Sequence, residues 1–433
     1  MKSKKFLITV FLPLMLTGCT FSVSVETLLS PPKLDNQQQD IYNALENYTG
    51  ENISLKYPKS GDNLSAFIIE DIDGDFEDEA IVFYEKNAVK TEESSLRINI
   101  LDTVESKWCS VYDHAADGNE IEQVEVAKLG DCDRINIIVG YSLINRSEKK
   151  ISIYDYSDGK LNTNLGNEPY SVFDADDFNG DGLKELFIAA AKGASKEAAA
   201  VLYYLYDSGE YKRSEVKLGA AYTDYRKISR NSELTEEMTV FLDAETGNGN
   251  IATEVLRVDN QNNLLKVFSP DTEKLETVRP SSYLSADIDG DGEAEIPVLD
   301  FCSGYDENSD NPMYFTSWYN IKNGKPEYKC ESYYSITDGY IFMIPQEWYG
   351  KITAKADISK NETYICSGSN PETAEEIFTV KVVSGKEKST ISEENDWILV
   401  RTKGDKHFFL KINEENPLAL SAEEIIMKFK FDY

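Results

Sequence analysis

Histidine is nearly missing from this chain: among 433 residues only His114 and His407 occur. Neither has the spacing of a zinc site or a Ser-His-Asp triad, and no G-x-S-x-G, P-loop or G-x-G-x-x-G is present. Positive charge is scarce as well, with 44 Lys and Arg against 77 Asp and Glu and a formal charge of −33. A field of that sign repels nucleic acid and anionic lipid surfaces, which makes both poor partners. The six cysteines contain no C-x-x-C pair, so zinc-type spacing is absent. Catalytic machinery is therefore not expected.

What is present begins with a processing signal. Lys2, Lys4 and Lys5 form a basic lead, and Phe6 to Leu16 form an apolar run too short to span a bilayer permanently. The run ends in Leu16-Thr17-Gly18-Cys19, which resembles a bacterial lipobox. That resemblance implies cleavage before Cys19 and a lipid on its sulfur, leaving residues 1–18 as signal peptide and 19–34 as a lipidated tether. No later apolar run is long enough to cross a membrane, so the lipid would be the sole anchor and the protein extracytoplasmic.

Export permits disulfides. Cys109, Cys132, Cys302, Cys330 and Cys366 remain after Cys19 is set aside. Cys302 with Cys330 is the favoured pair, since both fall in one repeat; buried free thiols are the alternative.

Residues 35–62 predict a helix and a lead-in strand. Asp35 is the N-cap, Ile41, Ala44, Leu45 and Tyr48 share a face, and Gly50 is the stop. From 63 to 335 short strands alternate with Asp/Asn/Gly turns. Three segments repeat one another, with leading aspartates Asp71, Asp177 and Asp287 spaced 106 and 110 residues apart. A four-stranded unit needs roughly 40–50 residues, so each interval holds two units. Degenerate copies are expected around Leu129-Gly130-Asp131-Cys132-Asp133 and near 225–265. Aromatic strands followed by Asp158-Gly159, Ser208-Gly209 and Asn323-Gly324 mark tight hairpins. Five units are legible, at roughly 63–115, 119–167, 170–220, 225–278 and 281–335. Such regular antiparallel units predict a mainly β fold, a β-propeller. Residues 338–433 predict a small α+β domain with strands near 351–357, 376–383, 397–402 and 407–412, the alternative being that they supply further blades. A capping box at Ser421–Glu424 opens a helix that should run to about Phe429.

The repeated turns fit D-x-[DN]-G-D-x-x-x-E. Positions 1, 3, 5 and 9 are Asp71, Asp73, Asp75 and Glu79; Asp177, Asn179, Asp181 and Glu185; and Asp287, Asp289, Asp291 and Glu295. Position 7 (Glu77, Leu183, Glu293) would offer its carbonyl. Six or seven hard oxygens with several negative charges suit Ca²⁺, with Mg²⁺ ranking second because it demands a tighter octahedron. An EF-hand would need its acid at position 12 between helices, whereas these flanks are β-branched and aromatic.

Set between strands such as Ala66–Ile69 and Ala80–Phe83, these loops resemble the FG-GAP/VCBS repeats of integrin α-subunits and bacterial surface proteins. The likeness covers about 270 residues. It implies a propeller with calcium in its hairpin loops and the residues above as ligands. Phe76 departs from it, standing where the family has glycine. The expected function is a lipid-anchored, calcium-stabilised cell-surface module that binds a protein or glycan without catalysis. The competing expectation is a carbohydrate-active hydrolase with paired carboxylates in the propeller funnel, about 5–10 Å apart.

Overall fold

The computed structural model describes residues 34–50, 53–86, 95–143, 148–193, 196–206, 208–231, 238–270, 275–385, 391 and 396–431. The lipobox, Cys19 and the tether before Leu34 lie outside the described residues.

Helix α1 (Asn36–Thr49) starts where the sequence placed it. The Asp35 side chain accepts from the Gln38 amide, the Gln38 side chain answers on the Asp35 amide, and Gly50 ends the helix at φ 76°. Ile41 and Leu45 are buried, but Tyr48 is exposed and Tyr42 packs in its stead, with its hydroxyl on Glu46.

The rest is antiparallel sheet, laid down in chain order. The first sheet joins β1 (Ile53–Leu55), β2 (Phe67–Glu70), β3 (Glu79–Lys86), β4 (Leu96–Val104) and β5 (Lys107–Ala115). The second joins β6 (Glu120–Lys128), β7 (Ile135–Ser142), β8 (Lys149–Ser157) and β9 (Lys160–Tyr170). The third joins β10 (Val172–Asp176), β11 (Glu185–Ala190), β12 (Ala199–Leu205) and β13 (Tyr211–Lys217). The fourth joins β14 (Asp224–Arg230), β15 (Thr239–Gly247), β16 (Asn250–Val258), β17 (Leu264–Phe268) and the short β18 (Arg279–Pro280). The fifth holds β19 (Ile296–Phe301), β20 (Tyr314–Lys322), β21 (Lys325–Ser335) and β22 (Tyr340–Met343).

A sixth sheet follows the five units legible in the sequence. It contains β23 (Ile352–Asp357), β24 (Glu362–Ser367), β25 (Glu375–Ser384), β26 (Ile398–Lys403) and β27 (Lys406–Ile412). The fifth sheet runs past residue 335, because β22 pairs with β21 and β28 (Phe429–Lys430) returns to pair with β22. That pairing stops helix α2 (Ala422–Ile426) short of Phe429, although its capping box on Ser421 and Glu424 forms.

Alternate side chains of each interior strand serve two different cores, because successive residues of a strand point to opposite faces. In β7, Ile137 and Val139 face the first sheet, while Ile138 packs with Leu186 and Ile188 of the third. In β11, Phe187 and Ala189 turn the other way, toward Val240 and Leu242 of the fourth. Phe241 and Val255 then meet Ile296 and Ile321 of the fifth, and Phe342 meets Phe378 and Leu410 of the sixth. Burial on both faces explains why these strands read as unbroken apolar runs.

The terminal faces are covered by other elements. Ile41 and Leu45 of α1 lie over Phe67, Val82 and Tyr84, and Ile391 and Trp397 cover Phe409 beyond the sixth sheet. Among the described residues, no core cluster unites the first sheet with the fifth or sixth.

All five described cysteines are free thiols, including Cys302 and Cys330. Cys330 sits opposite Trp318, which sits opposite Pro297, so Cys302 lies two strands over and five residues along. At about 3.3 Å per residue that offset exceeds the span of a disulfide, which corrects the pairing favoured from sequence.

Candidate metal centre

The three acidic loops are built alike. Each connects the end of one strand to the start of the next: β2 to β3, β10 to β11, and the bridge at Ala286–Glu295 to β19. The position-1 aspartate organises the turn. Asp71 accepts from the amides of Gly74 (2.7 Å) and Phe76 (3.1 Å), Asp177 from Gly180 (2.7 Å) and Gly182 (2.8 Å), and Asp287 from Gly290 (2.6 Å) and Gly292 (2.8 Å). The position-5 aspartate accepts from the amide of residue 7 in every copy, at 2.8 to 2.9 Å. The sixth residue needs a left-handed backbone, with Gly182 at φ 87° and Gly292 at φ 89°. Phe76 takes the same conformation at φ 71° with its ring 95% exposed.

Glu79 and Glu185 close their loops from the first residue of the following strand, Glu295 closes its loop just ahead of β19, and all three are fully buried. Each accepts the amide of the residue after the first aspartate: Ile72 at 2.9 Å, Phe178 at 3.0 Å and Ile288 at 2.8 Å. Burial pushes their carboxyls up to about 7, about 8 and about 7, against the pull of those amides and, for Glu295, of Lys329 first. A cation at the loop would offset that cost of burying a carboxylate.

The loops differ in what meets the second carboxylate oxygen. In the first loop, Asp71, Asp73 and Glu79 bring carboxylate oxygens within 4.8 Å of one another, and the buried Glu79 Oε1 has no hydrogen-bond partner among the described residues. A hard-oxygen set with an orphaned buried acceptor fits a divalent cation such as Ca²⁺. The second loop is filled by an amide. Asn179 Nδ2 donates to Asp181 (2.9 Å), Glu185 (3.3 Å) and Asn262 (2.6 Å).

In the third loop, Asp287, Asp289 and Asp291 also converge within 4.8 Å. There Lys329 Nζ reaches Asp289 at 3.1 Å, Asp291 at 2.7 Å and Glu295 at 2.6 Å. Burial raises the Asp291 carboxyl, but its bonds to Lys329 and to the Glu293 amide outweigh that and leave it below the usual range. At position 7 the Glu77 side chain accepts from Thr103 (3.0 Å), and Glu293 accepts from Asn320 (2.7 Å).

A second polar site lies where the leading strands of the second, third and fourth sheets come together. The Ala175 amide donates to Glu125 at 2.8 Å, and Arg230 pairs with Asp176. Here a cleft of about 460 Å³ is lined by Asn63, Gln123, Glu125, Asp174, Lys184 and Arg226. Burial, helped by the charge of Asp174, pushes Glu125 up to about 7, and burial, helped by the charge of Asp176, pushes Asp174 up to about 6. Sequence reasoning missed this pair, because period-2 alternation does not tell a cleft-lining acid from a solvated one.

The histidines stand elsewhere. His114 stacks by Tyr112 and meets the edge of Tyr154, and His407 shares a hydrogen bond with Thr402 at 2.8 Å. Among the described residues no helix is long and apolar enough to cross a membrane.

No family model matches this chain, and neither does any curated protein. Among solved structures it aligns with TolB from Acinetobacter baumannii at 13% identity and a TM-score of 0.21, covering 69% of this chain and 63% of that one. It aligns with an exo-beta-1,3-galactanase from Phanerochaete chrysosporium at 10% identity and a TM-score of 0.26, covering 82% and 76%. A protein from Lactobacillus plantarum aligns at 10% identity and a TM-score of 0.18, covering 64% and 89%. Values of this size establish neither a shared fold nor a shared activity.

Proposed function

We propose that this chain is a calcium-stabilised, non-catalytic binding module of FG-GAP/VCBS propeller type, held at the outer surface of a bacterial membrane by lipid on Cys19. The observation that carries the reading is the first loop, where Glu79, whose Oε1 has no hydrogen-bond partner among the described residues, converges with Asp71 and Asp73. Asp71, Asp73 and Glu79 would hold Ca²⁺, with Asp75 and the Glu77 carbonyl completing the shell. The ion would neutralise the loop and stiffen the β2–β3 connection. The module would present a loop-bearing edge of its sheets to a surface protein or glycan.

The test is titration of the Cys19→Ser chain with Ca²⁺, by calorimetry and by thermal melting with and without chelator. Saturable binding and a melting temperature that rises with Ca²⁺ are expected. Asp73→Asn should remove the tightest site. No heat and no melting shift at millimolar Ca²⁺ would sink the calcium reading.

One observation favours a second reading. Glu125 and Asp174 are two half-buried carboxyls on adjacent leading strands, both raised toward neutrality, and they face one cleft. In a glycoside hydrolase the protonated member would donate to the leaving oxygen while the other served as nucleophile or base. Hydrolysis of a glycan that is abolished in both Glu125→Gln and Asp174→Asn would move the function to this cleft.

A further inference from the structure

We propose that Lys329 is the resident cation of the third loop: its ammonium takes the place a metal ion would take, and this loop is closed without metal. The inference rests on the calcium reading of the first loop and separates the three copies by what neutralises them.

Three observations carry it. The first is the ammonium's position. It contacts the carboxylates of loop positions 3, 5 and 9, at 3.1, 2.7 and 2.6 Å. An ammonium has three donors and no acceptor, so three carboxylates saturate it. A divalent ion entering the same space would have to displace it against charge repulsion.

The second is the backbone device that aims it. Along β20 and β21, Tyr319 faces Tyr328 and Trp318 faces Cys330, so Lys329 is an extra residue in a β-bulge. Bulges of this kind re-aim a side chain. Lys329 is thereby turned onto the loop of its own sheet, with its side chain only 17% exposed.

The third is an internal comparison. The first sheet has the same bulge at the same place. Glu79 precedes Ala80, which faces Leu101, while Glu295 precedes Ile296, which faces Tyr319. Leu101 then faces Ser110 and Ile100 faces Tyr112, which leaves Val111 as the extra residue where the fifth sheet has Lys329. Valine carries no charge and no donor. That is the loop in which Glu79 Oε1 lacks a hydrogen-bond partner among the described residues. In the third sheet Tyr203 faces Arg213 and Leu202 faces Ser214 with no extra residue, and the Asn179 amide fills the loop instead.

The experiment compares wild type, Lys329→Met and Asp289→Asn/Asp291→Asn in the full chain, using Ca²⁺ alone as the probe. Calorimetry reads stoichiometry, and melting is followed in chelator and in Ca²⁺. In wild type, Asp289→Asn/Asp291→Asn should leave calcium stoichiometry unchanged. Lys329→Met should melt several degrees lower in chelator, gain one calcium site, and recover its melting temperature in Ca²⁺. Adding Asp289→Asn/Asp291→Asn to it should remove the new site.

The reciprocal variant, Val111→Lys, should lose the first-loop site. If wild type binds no calcium at all, the calcium reading fails, yet the loss of melting temperature in Lys329→Met in chelator still tests the lysine. The inference is overturned if Asp289→Asn/Asp291→Asn lowers wild-type stoichiometry. It is equally overturned if Lys329→Met neither melts lower in chelator nor gains a site. Should Lys329→Met fail to fold, the aspartate variant alone decides between a metal-filled and a lysine-filled loop.

Discussion

At the scale of single residues, Phe76 is the clearest point of strain. Its left-handed backbone costs roughly 1–2 kcal/mol for a residue with a side chain, whereas glycine's extra freedom costs roughly 0.5–1 kcal/mol. Phe76 sits at φ 71° with its ring in solvent, so nothing in its packing repays the strain. Phe76→Gly should therefore melt higher than wild type in saturating Ca²⁺, and an unchanged or lower midpoint would show the ring has a contact role. Glu125 gives a pH signature. Its carboxyl rises from an ordinary 4.5 to about 7 through burial and the Asp174 charge. A raised acid binds its proton more tightly in the folded state, so its contribution is full below pH 4.5 and is lost as pH climbs through about 7. Melting temperature should fall across that window in wild type and fall less in Glu125→Gln; equal slopes would place the proton elsewhere. The acids of the three loops were legible in the sequence because their spacing repeats. Lys329 was not, because it lies 34 residues beyond Glu295 and only a bulge brings it back.

At the scale of elements, turns with glycine or asparagine signalled themselves and others did not. Asp158-Gly159 and Asn323-Gly324 close two-residue hairpins as their residue types require. Glu105-Ser106 makes the same left-handed turn between Val104 and Lys107 with no such residue to announce it. Buried ion pairs are likewise silent in sequence. Arg279 and Asp243 are both fully buried and meet at 2.8 Å. Asp243 also accepts from the Ser285 amide (2.7 Å) and from Thr253 (2.6 Å), which ties the fourth sheet to the segment leading into the third loop. Removing one partner of such a pair strands a buried charge, at a cost of about 3–5 kcal/mol. Arg279→Met should lose that much in denaturant unfolding; a loss of about 1 kcal/mol, as for an exposed pair, would mean water reaches the site.

At the scale of the molecule, six sheets succeed one another among the described residues, and each interior one shares a core with both neighbours. A sheet with one solvated face fixes its register by pattern, since a one-residue slip would drive its polar set into the core. An interior sheet here has no such protection. Slipping β11 by one residue would exchange Leu186 and Ile188 for Phe187 and Ala189, and both sets are apolar. Something other than hydrophobicity must keep count along the strand. The acidic loops are placed to do it: a buried glutamate at the first rung of β3 and β11, and just ahead of β19, is bonded to one particular amide seven residues back. Moving any of these strands by a single step would tear that carboxylate from its backbone partner. In this light the loops act as indexing pins, and whatever neutralises each of them, ion, amide or ammonium, locks the alignment of the sheet that follows.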